Sequence, residues 1–482
     1  MHICVIGDGV AGLMAANLFA VRDYVSKVTH IGSSKIPSIG VGESTTLNFE
    51  GLHTMFDNDL DSFIRESNAC VKTGVLYSNW SEKEFLHHFK TPVFYQKYNT
   101  TSKEYSNSLG NKNRNVYIHD LIANKLYHDA KQNKIPGFGS ENFYLTSWHF
   151  DAGKYISYLK KLLQRDQRKV TIIDDVVIDC KFKEDESIDF ITLESNQNIT
   201  ADYYIICTGK STESSNIFNI KYKDLSNVLL TDKALFYPKS YTDKKKEIHP
   251  YTIAKTMKNG WRWITPTWSR VGTGYVFSSK HITVEQAIQE FQQDIGDETV
   301  VPNVVDFHPR YNQSTFNQNY MTLGMCNGFL EPLDAPGLSI SCALTMLLDN
   351  AFVQKKYDNS SNSWLNKFTE ELYNGWAAFI LTQYKTCHRF DTQFWKDHKN
   401  VEFEYLSNLM QNLNNDNDIQ NLNNSTAIIS SIKKDIIMMI QQTLASRNLQ
   451  WKTKTDMIPF ELDDTDYESL SHYDFLNSVW KS

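Results

Sequence analysis

Ile3, Val5 and Ile6 open the chain as a short buried strand, and Leu13 to Ala20 continue as an apolar helix. KVTHIGSS, residues 27–34, reads as a second strand, and ADYYIICTGKST, residues 201–212, as another buried strand that ends in Thr-Gly. Strands and helices alternate in this way up to residue 215, which is the pattern of an α/β fold. In GWRWITP, residues 260–266, two tryptophans one residue apart share a strand face, and Pro266 stops the strand. WLNKFTEELYNGWAAFILTQY, ending at Tyr384, has helical apolar spacing, and helices are expected to dominate from residue 355 onward. QNLNNDNDIQNLNN, residues 411–424, is a polar, Asn-rich run that predicts a mobile loop.

One stretch fits neither period. FLEPLDAPGLS, residues 329–339, holds two acids, Glu331 and Asp334, beside Pro332, Pro336 and Gly337. Two prolines forbid a helix interior, so this is a shaped loop ending where an apolar run begins.

Composition narrows the class. The 482 residues suggest about two to three domains or one intertwined unit, here divided as a core over residues 1–355 and a mainly helical part over residues 356–482. A net charge of −7 without a basic stripe argues against a nucleic-acid partner; Lys244, Lys245 and Lys246 sit between acids as a solvated loop. The aromatic share of 13% fits aromatic-lined cavities and a large aromatic core equally. Seven cysteines are spread singly with no Cys-x-x-Cys pair, so no metal site is expected and a reducing compartment is. No stretch approaches the about 18 uncharged apolar residues of a membrane helix. A cytoplasmic protein with no membrane partner follows as the expectation.

The strongest local pattern is GDGVAG, residues 7–12, directly after the first strand. Gly7 permits a tight turn, Gly9 lets the backbone approach a pyrophosphate, and Gly12 allows close helix–strand packing at a helix N-terminus that faces the phosphates. The second strand should end in an acid for a ribose hydroxyl, but Gly32 stands there, followed by Ser33 and Ser34. GTG at residues 272–274 precedes the strand pattern YVFSS and cannot cap a second nucleotide helix. A chain with one such site that holds FAD has none for NAD(P)H, so reduced flavin must come from outside.

Taken with the N-terminal fingerprint, GWRWITP resembles the W-x-W-x-I-P signature of flavin-dependent halogenases of the tryptophan-halogenase type, with Thr265 where that signature has isoleucine. IPSIGVGEST (36–45) resembles the family's flavin strap, and FIRESNACVKTGVLYSNW (63–80) the segment with its catalytic lysine, which falls on Lys72. SWHFDAGKYISYLKK (147–161), GTGYVFSSK (272–280) and QYKTCHRFDTQFW (383–395) are similar to further family stretches, so the ordered matches run from residue 2 to residue 395. Richness in Asn, Lys and Ile fits an AT-rich genome such as a phage's.

The resemblance implies a flavin-monooxygenase-like α/β core with a Rossmann-type FAD site and a more helical part packed on it. Its FAD contacts fall on Gly7, Gly9, Val10, Ala11, Gly12, Ser33, Ile39, Val41, Gly42, Glu43, Val176 and Leu333. Reduced FAD from a separate flavin reductase, oxygen and a halide would yield hypohalous acid for a small aromatic substrate. Lys72 would hold the oxidant, and EPLDAPG resembles the family's E-P-L-E-S-T-G loop, whose essential acid aligns with Asp334 rather than Glu331. Asp is shorter than Glu by one methylene, about 1.5 Å. The family's halide-binding pair aligns with Pro336 and Gly337, and proline has no N–H to give. Trp261 and Trp263, with Pro266 behind them, are expected beside the flavin, and His87 and Phe89 in the substrate pocket. The weaker donor set predicts bromide or iodide over chloride. A hydroxylating flavin monooxygenase and a catalytically inactive flavin-binding protein are the competing readings.

Overall fold

The computed structural model describes residues 1–36, 43–82, 84–89, 127–136, 146–165, 169–354, 357, 359–414, 436–437, 439–440, 443 and 469–481. The flavin-strap positions Ile39, Val41 and Gly42 and most of the Asn-rich run lie outside these residues.

The first strand, His2–Ile6, sits at the centre of a five-stranded, all-parallel sheet. Its neighbours are Lys27–Gly32 and Tyr203–Ile206; Val170–Asp174 and Tyr320–Thr322 complete the edges. Parallel strands buried on both faces read as continuous apolar runs, which is why YYII was legible. The helix Val10–Ala20 leaves the central strand and is buried almost all round. Asn17 offsets its polar amide there by donating to Leu13 and Leu159 carbonyls at 2.9 and 3.1 Å.

A second, seven-stranded sheet carries the tryptophan strand. Its order is Asn303–Asp306, Lys233–Lys239, Val271–Phe277, Gly260–Pro266, Thr252–Met257, Gly74–Ser78 and Phe85–His88. Residues 272–274 lie inside the strand Val271–Phe277 and open no helix. A small antiparallel sheet, Glu43–Ser44, Ser147–Phe150 and Cys70–Lys72, sets the lysine strand beside it.

Beyond residue 355 the described elements are helices, chiefly Asn359–Lys385, Gln393–Asn400, Glu404–Asn414 and His472–Lys481, with one short strand Ser469–Ser471. One hydrophobic core runs from Ile3 through Trp261 and Tyr384 to Val479, so these helices share the interior of the sheets. The helix Pro336–Val353 is, contrary to the sequence reading, long and apolar enough to cross a membrane. It is instead a core helix, 61% buried inside the protein. Its one carboxylate, Asp349, meets the Arg22 guanidinium through two bonds of 2.8 and 2.7 Å and accepts from Tyr24.

Candidate active site

The glycine turn has a different reason at each position. Gly7 has φ +124°, and a Cβ there would lie 2.1 Å from the Cys207 carbonyl oxygen. A Cβ on Gly12 would lie 2.4 Å from the Gly7 carbonyl. Around Gly9 no described atom comes within 4 Å of that position. Fold packing therefore demands Gly7 and Gly12, whereas Gly9 keeps a cradle open that a side chain would fill. Val10 and Ala11 follow as the first residues of the helix, whose N-terminal N–H groups face this cradle. Gly324, at φ +69°, closes over the same helix start, its Cβ position 3.2 Å from that of Ala11. The sequence reading missed it; its one signal was a glycine directly after the buried run YMTL. The open cradle at a helix N-terminus fits a dinucleotide pyrophosphate.

The other nucleotide positions are mixed. Ser33 is buried and accepts from the Lys35 amide. Val176 is half-buried in the turn before the strand Val177–Phe182, its carbonyl accepting from Glu194. Of Glu43 only the backbone is described, paired with Phe150. Leu333, expected at the cofactor, is fully buried in the main core.

Lys72 is fully buried. Its strand pairs it with Ser147, and its Nζ donates to the Thr45 carbonyl at 2.7 Å. The Phe89 ring lies beneath the ammonium, 5.1 Å to the centroid. Burial in this surround lowers the lysine to about 7, against an opposing pull from the Asp334 carboxylate.

Asp334 reaches the same place from the proline loop. Asp334 and Ala335 both hold left-handed backbone, φ +63° and +61°, and Pro336 then starts the long helix. The Asp334 carboxylate takes the Tyr77 hydroxyl on Oδ2, and its Oδ1 lies 3.1 Å from His87 Nδ1. His87 pairs across from Val75 and packs 5.1 Å from the ring of Phe379. Lys72, Asp334, His87 and Phe89 thus converge, joined by Thr45, Tyr77 and Phe379, which the sequence reading did not select. Tyr77 was readable, since it shares a strand face with Val75 opposite His87. Phe379, from the helix Asn359–Lys385, had no local signal.

The loop's other acid does different work. Glu331 is fully buried and accepts from Thr231 at 2.6 Å, Tyr384 at 2.9 Å and Trp261 Nε1 at 3.2 Å. Burial raises its carboxyl to about 7 despite these donors. Trp261 and Trp263 share a face, ring centroids 6.3 Å apart, and Trp263 covers Gly274, where a Cβ would strike its ring at 2.1 Å. Pro266 ends that strand opposite Val271. Pro336 and Gly337 are the first two residues of their helix, and Phe329 lies 3.7 Å from the position a Gly337 Cβ would take. One short loop therefore links the tryptophan strand, through Glu331, to the lysine site, through Asp334.

Comparisons with known proteins bear on the family and the fold. The family model for tryptophan halogenase matches residues 2–450, extending past residue 395, where recognisable motifs stopped. The chain is 25% identical over 424 residues to tryptophan 7-halogenase RebH of Lentzea aerocolonigenes, covering 83% of this chain and 79% of that protein. It is 27% identical over 439 residues to tryptophan 7-halogenase KtzQ of a Kutzneria species, with the same coverage of 83% and 79%. In structure it resembles a tryptophan halogenase from Shewanella frigidimarina, with a TM-score of 0.78 and 20% identity over 100% of this chain and 93% of that one. The chain belongs to the tryptophan halogenase family, the flavin-dependent halogenases that use FAD reduced by a separate flavin reductase.

Proposed function

We propose that this enzyme halogenates electron-rich aromatic small molecules through hypohalous acid held at Lys72, with bromide or iodide preferred to chloride. The observation that carries the reading is Lys72 itself: a fully buried amine, near-neutral in pKa, above an aromatic ring and under the electrostatic influence of the Asp334 carboxylate. Reduced FAD and oxygen supply a two-electron oxidation in which halide, oxygen and a proton become hypohalous acid and water.

The protein then has to hold that oxidant and accept a proton. With its pKa near 7, Lys72 offers both an ammonium that donates to hypohalous acid and an amine that takes up the halogen. Asp334, fixed by Tyr77 and facing His87, is the acceptor for the proton the ring loses as the carbon–halogen bond forms. His87, Phe89 and Phe379 form an aromatic wall suited to a flat substrate. Trp261, anchored by Glu331, and Trp263 separate flavin from substrate. Halide binding falls to the Gly337 N–H and the helix behind it, because Pro336 contributes none. A cofactor supplied by a separate reductase and a small substrate support a cytoplasmic enzyme.

The test is incubation with FAD, a flavin reductase, NADH and each halide over a panel of phenols and indoles, read by mass spectrometry. A halide-dependent gain of halogen supports the reading, and a halide-independent gain of oxygen defeats it.

A further inference from the structure

We propose that Asp8, the residue between the first two glycines, binds the adenosine ribose of FAD in place of the acid missing at the end of the second strand. Dinucleotide folds hold a ribose hydroxyl with a carboxylate that projects from that strand end. Here Gly32 occupies it. A Cβ built on Gly32 would lie 2.5 Å from Asp8 Cγ, 2.6 Å from Oδ1 and 3.0 Å from Cβ. The Asp8 carboxyl therefore fills the volume in which a side chain at that strand end would begin. Asp8 therefore requires glycine at position 32, since no side chain fits there while Asp8 holds this rotamer.

The carboxylate is also prepared for a neutral diol. Lys160, from the helix Ala152–Leu163, pairs with Oδ2, and His30 Nε2 stands 3.6 Å from Oδ1. Lys160 fixes the orientation of the carboxylate, while the Asp8 side chain remains 16% exposed at the glycine cradle. An ionised carboxylate offers about four lone-pair sites, so one already paired with a lysine still accepts ribose O–H groups, and its charge repels a phosphate on the same ribose. The acid has moved from one wall of the groove to its floor.

This assignment rests on the FAD reading of the cradle, and the test separates the two. FAD and FMN are titrated into the full chain by flavin fluorescence, with thermal melting to verify folding. FMN lacks the adenosine and reports any general damage to the site. Asp8→Ala should weaken FAD about tenfold to a hundredfold, the range for losing a hydrogen bond to a charged group, and leave FMN unchanged. Gly32→Glu alone should also weaken FAD, because the introduced side chain and Asp8 collide. The double variant Asp8→Gly with Gly32→Glu should recover FAD affinity to within about threefold, since it restores the usual geometry. Unchanged FAD affinity in Asp8→Ala would overturn the proposal, as would equal loss of FAD and FMN. Wild-type protein that binds no FAD would instead overturn the reading of the cradle and this assignment with it.

Discussion

His472 Nε2 accepts the backbone N–H of Val71, the residue before Lys72, at 3.2 Å. Its Nδ1 lies 3.0 Å from the Ile248 carbonyl, which only accepts, so Nδ1 carries the proton and Nε2 is left to accept from Val71. Burial holds the imidazole at about 4, well below its ordinary value, so it stays neutral at physiological pH. The helix His472–Lys481 thereby pins the strand that carries Lys72. His472→Phe leaves two buried backbone groups unpaired and should cost about 2–4 kcal/mol by denaturant unfolding. It should also lower the ratio of halogenated product to oxygen consumed, with FAD affinity retained. A variant that keeps the native ratio would show that His472 is only a structural residue.

Ala335 sits in left-handed backbone at the start of the helix Pro336–Val353. An L-residue with a Cβ pays about 1–2 kcal/mol for that conformation, and glycine does not. Ala335→Gly should therefore stabilise the fold by about 1 kcal/mol in urea unfolding. The same change frees the turn that aims Asp334 and should reduce kcat more than KM. Loss of stability would contradict this account of the loop.

What the sequence made legible, it did through short-range patterns. The glycine turn follows a strand within one apolar run, and the tryptophan pair needs only the strand period to share a face. Lys72 and Asp334 were legible because each lies in a short recognisable segment. The bond between Tyr77 and Asp334 spans 257 residues and that between Val71 and His472 spans 401, so no local period announces either. Gly32 was readable as a missing acid. Finding Asp8 in its place required the turn to be folded against the end of the second strand. Leu333 came from the family resemblance alone, and its complete burial in the core was not readable from a loop flanked by two prolines.

The lysine also gives a pH signature. Its pKa is about 7 when folded and near 10.4 when unfolded, so between these values the unfolded chain binds more protons. Stability from this group therefore rises with pH from about 7 to about 10 and is least where the buried amine is charged. Lys72→Met should be more stable than wild type at about pH 6, by several kcal/mol, with the gap closing by about pH 10. The halogenation rate should show an inflection near pH 7 that Lys72→Arg removes, because arginine stays charged. A wild-type profile without that inflection would contradict the near-neutral lysine.

The proposed halide preference follows from Pro336. One backbone donor at the helix start is absent, worth about 1.5–3 kcal/mol toward an anion, or roughly ten- to a hundredfold in affinity. Chloride is the most strongly hydrated and hardest to oxidise of the three halides and should suffer most. Equimolar competition on one phenol, corrected for non-enzymatic reaction, should give mainly brominated or iodinated product. Pro336→Thr should move the ratio toward chloride, and equal use of chloride and bromide by the wild type would refute the argument.

If Lys72 acts after the halide has been oxidised, oxygen consumption and halogenated product, measured together in Lys72→Ala, should separate. With bromide, reduced FAD and a reactive phenol, the variant should bind FAD and consume oxygen at close to the native rate while enzymatic bromination disappears and hypobromous acid escapes to solution. Bromination at the native rate and selectivity, in the absence of that amine, would contradict the account.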